Sequence, residues 1–184
     1  MPQYTVIGDP RPVTLDEAVE VVDYDSRWPE RYRSDAAELE IALGARVGGV
    51  EHFGSTSVPG MSAKPIIDVL VGFVRWPILH RDREALESLG YKYLGEAGVT
   101  GREYFRRRGP HDTNVAVVQW KGQLWNDNLM LRDYLRANPA IAATYSRAKR
   151  EVWCEGARTL LAYSTAKVAK ITDLMERARQ WSAG

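Results

Sequence analysis

The chain has 184 residues, 25 lysines and arginines against 24 aspartates and glutamates, and a formal net charge of +1. That length suits one domain spanning 1–184 with a sizeable core, and the balanced charge gives no global basic field to draw nucleic acid or an anionic membrane. No stretch approaches the ~18 apolar residues of a membrane span, the first residues lack the layout of a signal peptide, and the single cysteine, Cys154, cannot form an internal disulfide, so a reducing, cytoplasmic setting is expected.

In chain order, residues 1 to about 15 carry three prolines and read as a loosely ordered leader. Glu20, Val21 and Val22 suggest a short strand. Asp25 or Ser26 reads as a cap for a helix whose first turn holds Pro29 and Glu30; Tyr32, Ala36, Leu39 and Leu43 follow at helical spacing and Gly44 ends it. Residues 47–53 form a candidate strand, followed by a Gly/Ser/Thr turn and a second strand over 65–73. Pro77 opens a second helix that stops at Gly90. Residues 91–94, 102–108 and 113–120 read as strands. From about 122 onward the pattern is helical, with Asn138 and Pro139 dividing two helices by cap and first-turn chemistry. Leu160, Leu161, Val168, Ile171, Leu174, Met175 and Trp181 supply a final apolar stripe. Mixed elements followed by helices alone predict an α/β (α+β) fold: a small mixed sheet with flanking helices and a C-terminal helical portion.

The chemistry concentrates between Glu51 and Val71. Gly54, Ser55, Thr56 and Ser57 form a turn that can offer backbone amides and hydroxyls to phosphate oxygens. It does not fit the Walker pattern, since five residues separate Gly54 from Gly60 and Met61 follows the second glycine. The plainer reading is a polar turn in which Gly54, Pro59 and Gly60 only set backbone angles. Asp68 then sits in the run Ile66, Ile67, Asp68, Val69, Leu70, Val71, apolar on both parities and so expected to be covered on both faces. A carboxylate there is costly unless paired or metal-bound; the alternative is a solvated edge-strand aspartate. His52 lies beside the turn, whereas His80 and His111 read as structural. Arg102 to Arg108 could present guanidinium groups to phosphate or simply line a solvated strand face, and Lys149, Arg150 and Lys167 sit on helices where most lysines are solvated.

The segment Glu51-His52-Phe53-Gly54-Ser55-Thr56-Ser57-Val58-Pro59-Gly60 with Lys64-Pro65-Ile66-Ile67-Asp68 resembles the GrpB family, also called UPF0157. The likeness continues through Val21 to Pro29, Leu131 to Pro139, Lys149-Arg150 and Tyr163 to Lys167, covering about 18 to 180. The resemblance implies a branch of the nucleotidyltransferase fold, in which a Gly-Ser turn holds nucleotide phosphates and an Asp-x-Asp/Glu pair on the next strand holds Mg²⁺. Carried onto this chain, Gly54, Ser55, Thr56 and Ser57 hold the phosphates of a nucleoside triphosphate, Asp68 is the catalytic and metal-binding carboxylate, and Lys64, Arg102, Lys149, Arg150 and Lys167 clamp phosphates. The chain departs from the pattern at Leu70, where the second acid is expected, and at Asn114, Ala116 and Gln119, where the family often carries His-x-His and an acid. Three functions follow: a nucleotidyltransferase-like enzyme acting on a small acceptor, a non-catalytic module that binds a nucleotide without metal chemistry, and an enzyme for another phosphorylated metabolite.

Overall fold

The uninterrupted apolar run after Lys64 dictates the centre of the molecule, because such a strand is stable only when both faces are covered. The computed structural model describes residues 16–183 and places this run as β2 (Ile66–Phe73), buried at every position but the half-buried Asp68. It lies between β1 (Val47–Phe53), antiparallel, and β5 (Asp112–Gln119), parallel; β4 (Glu103–Arg107) and β3 (Lys92–Tyr93) extend the sheet in the order β1-β2-β5-β4-β3.

Strand alternation sends Ile67, Val69, Val71, Val115, Val117 and Phe105 to one face, against Trp28, Leu39 and Leu43 of α1 (Trp28–Leu43) and Leu86 of α2 (His80–Ser88). On this side Asp35, fully buried, accepts from Arg107 Nη2 (2.6 Å), His111 Nε2 (3.0 Å) and Thr113 Oγ1 (2.6 Å), tying α1 to the far strands. The opposite face carries Asp68, Leu70, Asn114 and Ala116; Trp125 of α3 (Gln123–Ala137) covers its apolar part. Gly72 permits that close approach, since a Cβ there would stand 2.8 Å from the indole. Helices α3, α4 (Pro139–Cys154) and α5 (Leu160–Ser182) then build a second apolar cluster in which Tyr134, Leu135, Tyr145 and Leu174 pack on Val58 and Met61. The helical portion is thus seated on the turn that follows Gly54.

The expected small mixed sheet, flanking helices and helical C-terminal portion are all present, with local differences. Val21 and Val22 form no strand: Ala18 and Val22 make isolated bridges to Thr159 and Ala63. The first helix is not capped by the Asp25 or Ser26 side chain; Arg27 is the cap residue, and the Asp25 carboxylate receives its amide and guanidinium instead. Pro77 follows a cis peptide, and α2 begins at His80, where the Asp82 carboxylate takes the Leu79 amide at 2.8 Å. The stripe on α5 is interrupted, for Val168 and Trp181 are exposed. The expected leader over 1–15 lies outside the described residues.

Candidate functional site

Gly54 ends β1 with φ +69°, and Ser55–Ser57 make a 3-10 turn closed by the amides of Ser57 and Val58. The glycine is required twice over: its backbone angle favours glycine, and a Cβ would lie 2.7 Å from Asp68 Oδ2. The carboxylate of β2 therefore rests directly against the turn, and Asn114 Nδ2 of β5 donates to its Oδ1 at 2.8 Å. Arg132 donates to the His52 carbonyl and Arg136 to the Ser57 carbonyl, so α3 clamps both sides of the turn.

A cavity of about 230 Å³ opens over this junction, lined by Gly54, Ser55, Thr56, Lys64, Asp68 and Lys167 on its polar side and by Phe53, Leu131, Leu135, Tyr145, Tyr163 and Ile171 on its apolar side. Lys149 stands just behind Ser55. Its ammonium, 1% exposed, donates to Ser55 Oγ at 2.8 Å and to the Ser62 carbonyl at 2.7 Å. Because Ser55 Oγ accepts from Lys149, its own hydroxyl hydrogen is available to an acceptor in the cavity.

The two helical lysines are built alike. Lys149 lies over the ring of Tyr145 at 5.0 Å and Lys167 over that of Tyr163 at 4.2 Å, each four residues after its tyrosine on one helix face. Among the described residues none of Lys64, Lys149 and Lys167 is ion-paired; Asp68 is the carboxylate near all three, and Glu17, itself paired with Arg108, lies near Lys64 as well. Burial, followed by the charges of Lys167 and Lys64, holds the Lys149 ammonium well below the usual lysine range. Burial, then Lys64, brings Lys167 down to about 8, and burial lowers Lys64, with Asp68 opposing in each case. Three ammonium groups thus share Asp68 in a partly dry site, with Glu17 near Lys64 already paired to Arg108, an arrangement that an entering anion relieves.

The geometry separates the sequence-derived candidates. Gly54, Ser55, Thr56, Lys64, Asp68 and Lys167 meet at the cavity, with Lys149 behind them. The Thr56 hydroxyl is engaged by His52 Nε2 at 3.0 Å, and Ser57 Oγ donates to the Gly54 carbonyl at 2.7 Å, away from the cavity. His52 is buried and stacked on Tyr32, and burial lowers it to about 4, so it is a neutral structural residue and not a ligand contact. Arg150 points away from the cavity to Asp23 and Ser62 Oγ. Arg102 lies in a neighbouring recess, donating to the Glu96 and Ala97 carbonyls. Tyr145 and Tyr163 were not anticipated; the repeated Tyr-x-x-x-Lys spacing is the signal that marks them.

The residues present do not fit a paired Mg²⁺ site. Asp68 shares its sheet face with Leu70, Asn114 and Ala116, none of them acidic, and one of its oxygens already receives Asn114. Glu51 is paired with Arg132, Glu103 with Arg83, and Asp112 lies 3.7 Å from Arg108, so none turns toward Asp68 as a further ligand. No group of three His, Cys, Asp or Glu able to hold a metal occurs among the described residues. The expected second ligand is replaced by apolar strand positions, and the surrounding charge is ammonium, which repels a divalent cation.

Fold and site together define a mixed α/β protein with a lysine-lined cavity between a Gly-Ser turn and a helical cover. The family model of the GrpB protein matches residues 18–177, and the chain belongs to that family. It is 32% identical over 167 residues to the UPF0157 protein YqkA of Bacillus subtilis, with 90% of this chain and 49% of that protein covered, so it spans about half the length of that relative. The crystal structure of the conserved protein GrpB from Enterococcus faecalis superposes with a TM-score of 0.82 at 34% identity, covering 90% of this chain and 100% of that one. A distant likeness, with a TM-score of 0.48 at 13% identity over 70% of this chain and 42% of that one, is to a cytoplasmic RNA terminal U-transferase. No helix among the described residues is long and apolar enough to cross a membrane.

Proposed function

We propose that this protein binds the phosphate groups of a nucleotide or phosphorylated metabolite through Ser55, Lys64 and Lys167, with Lys149 as a buried charge behind the turn. The observation that carries this reading is the excess of ammonium over carboxylate around one cavity. Unpaired buried charge is expensive, and phosphate oxygens supply both the counter-charge and the acceptors that Lys167 and the Ser55 hydroxyl lack among the described residues. Charge neutralisation here falls to lysines, without a metal pair.

Nucleotidyl transfer to a small acceptor is a second reading, favoured by one observation: Asp68 opens into the cavity beside the turn, where the resemblance to nucleotidyltransferases expects a carboxylate. In that case Asp68 takes the acceptor's proton. Calorimetric titration of tripolyphosphate and of each nucleoside triphosphate into the wild type and Lys149→Met tests the first reading. Binding to the wild type that Lys149→Met weakens supports it, and no binding by any of these probes overturns it. Pyrophosphate release from a nucleoside triphosphate, abolished by Asp68→Asn, would establish the second reading over a purely binding role.

A further inference from the structure

The lysine cavity has a neighbour on the other side of Phe53. A second recess, also about 230 Å³, shares Phe53, Asn128, Leu131 and Ile171 with it. Small-molecule sites usually occupy ~300–1,000 Å³, so each lobe alone is small and the two joined are of ordinary size. The walls of the second lobe are mostly apolar, from Val99, Ala116, Val118, Leu124 and Met175. Its charged members are Arg102 and Asp127.

These two charges are not equivalent. The Asp127 carboxylate has a cation of its own, Arg179 Nη2 at 3.7 Å. Arg102 has no carboxylate within ion-pair distance among the described residues: its Nε and Nη2 reach only the carbonyls of Glu96 and Ala97, and its guanidinium lies over the Tyr104 ring at 4.5 Å. The backbone contacts fix one edge of the fork and leave Nη1 without an acceptor among the described residues, and the recess shares Phe53, Leu131 and Ile171 with the lysine cavity. A fixed, half-buried guanidinium is suited to a planar oxyanion.

We propose that the two recesses open into one cleft across their shared wall and take one elongated ligand with an anionic group at each end, a phosphate in the Ser55–Lys64–Lys167 lobe and a carboxylate or second phosphate on Arg102, with an apolar middle along Phe53, Leu131 and Ile171. The inference rests on the phosphate-binding reading above and adds the second anchor and the apolar span. It predicts discrimination by length, since both ends must reach their cations at once.

The probes are two series of synthetic phosphonates, butyl to octyl, one ending in a methyl group and the other in a carboxylate, titrated into the wild type, Arg102→Gln and Arg102→Lys. The wild type is expected to bind the carboxylates about tenfold or more tightly than the matching alkyl compounds, with one best chain length. Arg102→Gln erases that preference while leaving alkylphosphonate affinity unchanged, and Arg102→Lys keeps part of it. Equal binding of the two series, or an equal loss on both in Arg102→Gln, overturns the second anchor. Failure of tripolyphosphate and every phosphonate to bind overturns the lysine site itself, and the two failures are told apart by whether the alkylphosphonates bind.

Discussion

Replacing Lys167 by methionine removes an ammonium group that the folded chain holds against its preference. Burial and the charge of Lys64 bring Lys167 from 10.5 to about 8, and no carboxylate among the described residues is paired with it. At neutral pH a lysine displaced that far opposes folding by about 3 kcal/mol. Lys167 is only half-buried, so screening brings the expected gain of Lys167→Met to about 1 kcal/mol, or about 2–4 °C in the melting midpoint. Methionine keeps a flexible apolar stem against Tyr163. The pH dependence carries the sign. Between about 8 and 10.5 the unfolded chain binds a proton that the folded chain has released, so wild-type stability rises with pH across that window. The advantage of the variant is therefore full below pH 8 and gone near the top of the window. Urea unfolding of both proteins at neutral pH and at several points above it reads this directly, and tripolyphosphate should raise the midpoint of the wild type but not of the variant. A variant less stable than the wild type at neutral pH, or an advantage that does not change with pH, refutes the reasoning that Lys167 is an uncompensated charge.

Two further outcomes follow from the same geometry. Gly54→Ala must adopt φ +69° and place a Cβ 2.7 Å from Asp68 Oδ2, so it should lower stability by about 1–3 kcal/mol in thermal melts and weaken phosphate binding as Asp68 and the turn are pushed apart. His52, neutral in the fold and lowered from 6.5 to about 4 by burial, must gain a proton on unfolding in acid. Stability is expected to fall by about 3 kcal/mol as pH drops across that interval, and His52→Gln should flatten this part of the curve measured by denaturant unfolding.

Much of the fold was legible because its signals are local and periodic. The β2 run was apolar on both parities, and the structure buries it on both faces; Asn138 and Pro139 do divide α3 from α4, with Pro139 in the first turn, but the Asn138 side chain donates back to the Tyr134 carbonyl of α3 and does not cap α4. The errors came where a side chain chose between backbone partners, as when Asp82 rather than Pro77 set the start of α2. The candidate site was legible in its residue types and not in their directions. Lys149 and Arg150 are neighbours in sequence, yet a helix turns successive side chains about 100° apart. Lys149 therefore goes inward to Ser55 and Arg150 outward to Asp23. Ser57 reads as a phosphate hydroxyl until the 3-10 turn brings it onto the Gly54 carbonyl. Arg102 reads as a member of a basic strand, and only the folded packing shows that its recess shares Phe53, Leu131 and Ile171 with the lysine cavity.

The central claim is that lysines, without a metal pair, meet the phosphates. Calorimetric titration of ATP into the wild type, once in excess EDTA and once in excess Mg²⁺, tests it most directly. Binding that persists in EDTA, and is tighter there than with Mg²⁺ masking the phosphate charge, is the predicted result. Binding that appears only with Mg²⁺ would contradict it.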